Sequence, residues 1–536
     1  MSQALTLQNE RGFGWYREAD VCVKGFVHNA AGACLSRADL CRYFASVVDY
    51  AGFRELLTRS NGSFAVVIRR TEELWAAVDQ IRSFPLFYSH NEGEFQLSDL
   101  APTIKEQLGN IHFEQRAMDE FLMTAYVSGR DTLYAEIKQL SAGECLHWNT
   151  RQNTIQTDSY FRYSHHEPIC ATEADLIDKL DAVHEVVFER LIRSLDGRTA
   201  VIPLSGGLDS RLVAVWLKRL NYPHVVCFSY GSSGNSDSTV SKAVAEYLGF
   251  PWIFLEHTRQ KWYDAFQSEE RREFYPYAAN LCSMPHIQDW EAVRELRKQG
   301  LIPEDAVFIP GHSGDFLEGS HLPHAWQGQR VISDRELCAA VYHRHYNLWP
   351  WQRNAPQYAA QFRKDIAKTI DILPTMSVAE AVSSFEEWDW KERQAKFIVN
   401  SVRVYEYFGY EWRLPLWDTE LMEFWSQVPT ELRFGRKLYL DYVMAKQDIG
   451  ILPARHLPKL HVRAWNKAIR ILAGNIMDIR YGRFGDIRSR ISYLGQTIRQ
   501  YRSAEICYPA YISPSQRVLD TDLIALQALI CLYELS

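Results

Sequence analysis

One segment constrains this chain more than any other. Residues 199–220 read TAVIPL-SGGLDS-RLVAVWLKRL: an apolar run, a turn of two glycines flanked by two serines, and a run with helical spacing. In an open α/β sheet, the loop from the carboxyl end of a strand into a helix N-terminus is where anions bind. Gly206 and Gly207 remove side chains so that backbone N–H groups can close on phosphate oxygens, and Ser205 and Ser210 add hydroxyl donors. Asp209 does not belong beside a phosphate unless a bridging Mg²⁺, which favours carboxylates together with phosphates, sits between them. A plain reading, a glycine turn capped by Asp and Ser, competes with this. Six specified residues in strand–turn–helix context favour the phosphate site. The spacing is not that of the G-x-x-x-x-G-K-[ST] loop, and its lysine is absent.

The surroundings fit a doubly wound parallel sheet. After the turn come HVVCFSY (224–230), a helical SKAVAEYLGF (241–250), WIFL (252–255) and DAVFIPG (305–311). Strands separated by helices in short units predict parallel pairing. Residues 1 to about 165 instead alternate short β-like runs with turns, at 21–29, 63–70, 73–80, 85–90, 94–100 and 144–150, which predicts a layered, mainly β unit with a helix or two. A helix is expected from Glu173 to Ser194. The periodicity beyond 331 is mostly helical, with long amphipathic stretches at 377–409 and 417–447. The expected division is 1–165, 166–450, and a basic helical extension over 451–536.

The chain has 536 residues and a formal charge of −7. That gives no overall drive toward a polyanion, so nucleic acid is not an expected partner. No run reaches the ~18 apolar residues of a membrane span, and the start lacks an export signal, so a cytoplasmic protein is expected. Ten cysteines lie scattered with no CxxC pair, against zinc ribbons, iron–sulfur ligation and a disulfide framework. The arginines and lysines of 455–502 read as a solvated face, or as a binding face for an anionic acceptor.

The SGGLDS loop resembles the pyrophosphatase loop of the N-type ATP pyrophosphatases. GYEWRLPLWD (409–418) resembles the G-x-E-x-R-x-P-F-L-D segment of asparagine synthetases, and PTELRFGRKLYL (429–440) the stretch carrying a lysine that faces the acyl-adenylate, at Lys437. IPGHSGDFLEGS (309–320) resembles S-G-E-G-S-D-E-x-F-G-G, placing Gly311 and Asp315 on ATP and magnesium positions. His312 stands where that family has glutamate, and Phe316 where it has an acid. NGSFAVV (61–67), AAVDQIRSFPLFY (76–88) and FQLSDL (95–100) resemble class II glutamine amidotransferase domains. There the nucleophile is an N-terminal cysteine; here Met1 is followed by Ser2, and the domain's first strands with their R-G-P-D loop are expected to be missing. Ser2 is a weak substitute for a thiolate, so no glutamine hydrolysis is expected.

The resemblance implies an ATP- and Mg²⁺-dependent ligase that adenylates a small-molecule or sugar carboxylate and transfers ammonia or an amine, with a separate glutaminase as one donor and a homodimer as one assembly. By resemblance it extends to amidation of a uronic acid in surface polysaccharide synthesis. A β-lactam or macrolactam synthetase, a tRNA-modifying ATP pyrophosphatase and a non-catalytic binding subunit are the alternatives. Expected contacts to ATP and pyrophosphate are Leu204, Ser205, Gly206, Gly207, Asp209, Ser210, Ser229, Tyr230, Gly231 and Gly311, with Asp209 and Asp315 on the metal. Lys437 is expected to stabilise developing negative charge, or to be a surface lysine. Glu411 either orients the nucleophile or pairs with Arg413, and His312 either accepts a proton or is solvated.

Overall fold

A computed structural model describes residues 3–91, 93–348 and 356–446, together with Cys531, Leu532 and Leu535. Ser2 and the basic stretch 455–502 lie outside the described residues. Two sheets form the N-terminal unit. One runs, in spatial order, Gln3–Thr6, Glu94–Ser98, Phe87–Asn91, Lys138–Gln139. The other runs Thr154–Ser159, Glu144–Asn149, Glu73–Val78, Asn61–Arg69, Val21–His28, Tyr16–Glu18, with Cys34–Ser36 also pairing to Val21–His28.

The period-two alternation of Asn61–Arg69 explains the layering. Phe64, Val66 and Ile68 lie against Leu40, Phe44, Phe53 and Leu57 of the helices Arg37–Ala45 and Tyr50–Thr58. Ala65 and Val67 turn the other way and join the core containing Phe87, Phe95 and Leu97 of the first sheet. Gln3–Thr6 pairs in parallel with Glu94–Ser98, an edge strand that the alternation pattern did not anticipate.

The helix Glu173–Leu195, opened by a capping box at Thr172 and Asp175, leads into a second unit. Its five strands are all parallel, in the order Trp252–Glu256, Val225–Gly231, Ala200–Pro203, Val307–Phe308, Glu411–Trp412. The order runs outward from Ala200–Pro203 in one direction, then resumes on its other side. Such a reversal opens a crevice beyond the carboxyl ends of the two strands flanking it. The loops at 204–210 and 309–315 emerge there.

The two long stretches expected to be helical are broken. Residues 377–409 form Val378–Asp389, a π-helix Trp390–Ile398, a tight turn Val399–Val402 and a short helix Arg403–Tyr407. Residues 417–447 divide into Thr419–Ser426, Thr430–Arg433 and Lys437–Lys446. Pro429 and the left-handed Gly435 interrupt the second stretch. Among the described residues no helix is long and apolar enough to cross a membrane.

Candidate active site

The loop after Ala200–Pro203 turns on its own serines. Ser205 N–H donates to Ser210 Oγ (3.2 Å), the two hydroxyls lie 3.1 Å apart, and Gly207 N–H donates to Ser205 Oγ (3.2 Å). The helix Leu208–Arg219 that follows has Gly207 at its N-cap and no side-chain cap. Its first N–H groups therefore keep their donor capacity and the positive end of the helix dipole faces the cleft.

The loop after Val307–Phe308 closes on this turn. A Cβ at Gly311 would stand 2.4 Å from Ser210 N and 2.6 Å from Asp209 C, so only glycine permits the approach. Ser313, at φ +66°, is held by its hydroxyl bond to Gln394 Oε1 (2.8 Å) on the π-helix. A cleft of about 400 Å³ results, lined by Leu204, Ser205, Gly207, Asp209, Ser210, Ser229, Tyr230, Asp289, Gly311 and His312 among others. Gly206 belongs to the same turn, Gly231 ends the Val225–Gly231 strand, and Asp315 joins through its N–H bond to Asp209 Oδ2 (3.2 Å).

Charge concentrates at this end. Burial lifts the Asp209 carboxyl to about 6, opposed by Arg436 and reinforced by Asp315. Burial also works against the Asp315 carboxylate, but the bond and charge of His321, with Arg393 and Arg436, bring it down to about 2. His321 lies 2.6 Å from Asp389 and 3.4 Å from Asp315. Although burial opposes its charge, the two carboxylates raise it to about 9, so it is an imidazolium at neutral pH. His312 behaves oppositely: burial, with His286, lowers it to about 4 against the pull of Asp289, and the neutral ring lies 3.3 Å from the Ser401 hydroxyl. Asp289 accepts from the hydroxyls of Tyr230 (2.5 Å) and Tyr405 (2.6 Å) on the cleft wall.

Two expected residues stand elsewhere. Lys437 Nζ points out to Glu173 (2.5 Å) and Asp441 (3.0 Å), with the side chain 49% exposed. Glu411 bonds Arg413 and Arg198, each at 3.0 Å, on the far strand, which decides for the ion-pair reading. Burial works against its charge, but the two guanidiniums outweigh it and lower its pKa. Phe316 is buried between Tyr163 and Trp417 and presents no face to the cleft.

The cation that does reach Asp209 is Arg436. Its Nη2 donates to Asp209 Oδ1 (2.7 Å) and its Nε to Glu318 Oε2 (2.7 Å). Gly435 and Arg436 are both left-handed, at φ +66° and +63°, and for the arginine that costs about 1–2 kcal/mol. Arg436 and Glu318 both lie inside segments whose motifs drew attention to other members; the glycine before Arg436 was the available signal.

Residues 192–447 match the asparagine synthase family, and residues 33–161 a glutamine amidotransferase domain. Residues 192–447 are an asparagine synthase domain. A probable asparagine synthetase [glutamine-hydrolyzing] of Acanthamoeba polyphaga mimivirus is 26% identical over 215 residues, which cover 39% of this chain and 37% of that protein. The matched segment thus spans little more than a third of that relative's length. Two solved structures are also similar. Glutamine phosphoribosylpyrophosphate amidotransferase from B. subtilis, complexed with ADP and GMP, has TM-score 0.19 and 10% identity, over 55% of this chain and 63% of that one. The allosteric regulatory enzyme of purine biosynthesis has TM-score 0.19 and 11% identity, over 55% and 56%. The asparagine synthase domain begins inside the Glu173–Leu195 helix and carries every cleft residue named above.

Proposed function

We propose that this chain is an ATP-dependent amide-forming ligase that adenylates a substrate carboxylate and passes the acyl group to ammonia or an amine. One observation carries the reading. An uncapped helix N-terminus, two serine hydroxyls and two adjoining carboxylates converge where the strand order reverses, inside an asparagine synthase domain.

Asp209 and Asp315 are the residues that would hold Mg²⁺. Two carboxylates leave room for phosphate oxygens to complete the coordination of such a cation. When bound, Mg²⁺ supplies positive charge to the departing pyrophosphate. The helix N–H groups, Ser205 and Ser210 hold the phosphates. A substrate carboxylate oxygen then attacks the α-phosphorus, and the bond to pyrophosphate breaks with its electron pair on the leaving oxygen. In the second step the amine nitrogen bonds to the acyl carbon, AMP leaves, and the nitrogen loses a proton. His312, neutral and beside Ser401, orients the nucleophile; at about 4 its pKa makes it a weak base.

With His312 in place of an acid near the reacting centre, the acceptor in this reading is a carboxylate other than aspartate, such as a uronic acid of surface polysaccharide synthesis. The nitrogen comes from outside the chain. Among the described residues of the N-terminal unit the cysteines are Cys22, Cys34, Cys41 and Cys145, and burial raises the pKa of each thiol, against a thiolate nucleophile. A second reading, closure of a substrate on its own amine as in β-lactam or macrolactam synthetases, draws support from Asp289, a carboxylate suited to an ammonium group.

The test is release of AMP and pyrophosphate from ATP and Mg²⁺ with L-aspartate, hexuronic acids and amine-bearing acids, each with ammonium, glutamine or no nitrogen donor. Continued turnover, with AMP released, with a uronic acid and ammonium, and none with glutamine, is the expected result. Repeated turnover with AMP release and no added nitrogen favours cyclisation, since adenylation alone frees at most one equivalent of pyrophosphate per site. If no carboxylate elicits pyrophosphate, the ligase reading is wrong.

A further inference from the structure

Arg436 has no role in the chemistry above, yet it is the side chain most deliberately placed in the cleft. Two consecutive left-handed residues turn it inward while Lys437, one position on, faces solvent. Its two contacts differ in kind. Glu318 is 3% exposed and takes both Nε and Nη2; Asp209 is 19% exposed, lines the cleft and takes Nη2 as well. Nη1 makes no hydrogen bond among the described residues. Tyr439 supports the guanidinium, its ring centroid 4.9 Å from the central carbon.

The electrostatics require such a group. Asp209, Asp315 and Glu318 lie close enough to disfavour one another's charge, and a triphosphate brings more negative charge to the same place. A guanidinium matches both carboxylate and phosphate geometry, so it can pass from one to the other without losing its hydrogen bonds. A divalent cation drawn to Asp209 competes with Nη2 for the same carboxylate.

Building on the ligase reading, we propose that Arg436 is the pyrophosphate-holding side chain of this site. Glu318 anchors Nε throughout. In the empty cleft Asp209 and Glu318 share Nη2; when Asp209 turns to a cation, the donor capacity that Nη2 gave it, together with Nη1, turns to the β- and γ-phosphate oxygens. There they offset the charge that accumulates as the α-phosphorus bond to pyrophosphate breaks. Arg436 is thus both the cleft's resident counter-ion and a catalytic residue of the adenylation step.

Two binding measurements on the full chain test this without turnover. Mn²⁺ binding is followed by electron paramagnetic resonance with no nucleotide present, and inorganic pyrophosphate with Mg²⁺ by calorimetry. In Arg436→Ala, Mn²⁺ is expected to bind the empty protein more tightly than in wild type, because Asp209 has lost its competitor. Pyrophosphate is expected to bind about 10- to 100-fold more weakly, the usual loss of a charged hydrogen bond. Lys437→Ala should change neither. In a Glu318→Gln background, Arg436→Ala should cost less pyrophosphate affinity than in wild type, because the anchor is already gone. Arg436→Lys serves if the alanine variant does not fold: one ammonium cannot hold Glu318 and reach two phosphates, so pyrophosphate binding should still weaken. Wild-type affinity for both ions in Arg436→Ala, or for pyrophosphate in Arg436→Lys, overturns the proposal. Failure of every carboxylate to release pyrophosphate would sink the ligase reading and leave these measurements standing.

Discussion

At the residue scale, the cleft depends on atoms that are missing. A methyl group at Gly311 would meet main-chain atoms of Ser210 and Asp209 at 2.4 and 2.6 Å, and main chain at a helix N-terminus cannot swing aside as a side chain can. Gly311→Ala should therefore push the 309–315 loop off the phosphate turn. We expect ATP affinity to fall at least about tenfold while overpacking costs about 1–3 kcal/mol of stability. Calorimetry with a non-hydrolysable ATP analogue and a denaturant titration check the two numbers; wild-type affinity would show that the loops do not need this contact. The glycine was legible in sequence because a turn motif surrounded it. Which of two adjacent cations enters the cleft was not. Neighbours on a helix point about 100° apart, and only the backbone reversal at Gly435 and Arg436 settles that Arg436 faces Asp209 while Lys437 faces Glu173.

At the scale of elements, the π-helix Trp390–Ile398 has the clearest consequence. Widening the helix by one residue per turn lets two successive faces engage different parts of the molecule. Gln394 bonds Ser313 Oγ (2.8 Å) and Asp389 (3.2 Å), and Asp389 bonds His321, so this face supports the strained Ser313 and the Asp315 neighbourhood. On another face Lys396 and Glu392 hold the backbone at Gly129. Gln394→Leu, close in size, should cost about 1–3 kcal/mol by stranding the buried Ser313 hydroxyl. It should also slow pyrophosphate release more than it weakens ATP binding. Urea denaturation and steady-state kinetics test this; a variant of wild-type stability with unchanged release would show that Gln394 supports nothing. Apolar periodicity predicted a long amphipathic helix over 377–409, and the segment is instead a broken run buried on most sides. Over the nine residues of the π-helix most side chains are buried whichever way they point, so apolar periodicity could not tell the wider spiral from an α-helix. The strands at 200–203, 225–231 and 252–256 were legible because each is an unbroken apolar run. Glu411–Trp412 was not, because two residues carry no alternation to read.

At the scale of the molecule, buried groups and the seam between the two units decide how the chain fails. His28, His184 and His345 are neutral when folded, each lowered by burial to about 3. Unfolded, they titrate near 6.5. A base with a depressed folded pKa contributes stability that is present above its unfolded pKa and lost as pH falls toward the folded one. The melting temperature should therefore drop between about pH 6.5 and 3 with net proton uptake on unfolding; a flat profile across that window would contradict the burial of these rings. The seam joins the two units through buried rings and hydrogen bonds. Trp412, at the end of the parallel sheet, packs its ring 5.3 Å from Phe13 and 5.4 Å from Phe84 of the N-terminal unit. Trp390 donates to Gln80 O (2.8 Å), Arg413 lies 4.4 Å over the Phe26 ring, and Arg403 donates to Ser83 O. Trp390, Arg403, Trp412 and Arg413 are each at most 4% exposed in the intact chain. A chain starting at residue 166 would expose two tryptophans, take the Phe26 ring from Arg413 and remove the Ser83 carbonyl that Arg403 donates to. It should bind a hydrophobic dye, lose near-ultraviolet circular dichroism and melt without a sharp transition. A cooperative melt within a few degrees of the full chain would mean that the parallel sheet is self-sufficient and the N-terminal unit is carried for another purpose. The expected collapse would instead make the N-terminal unit a structural support of the parallel sheet, whatever its own chemistry.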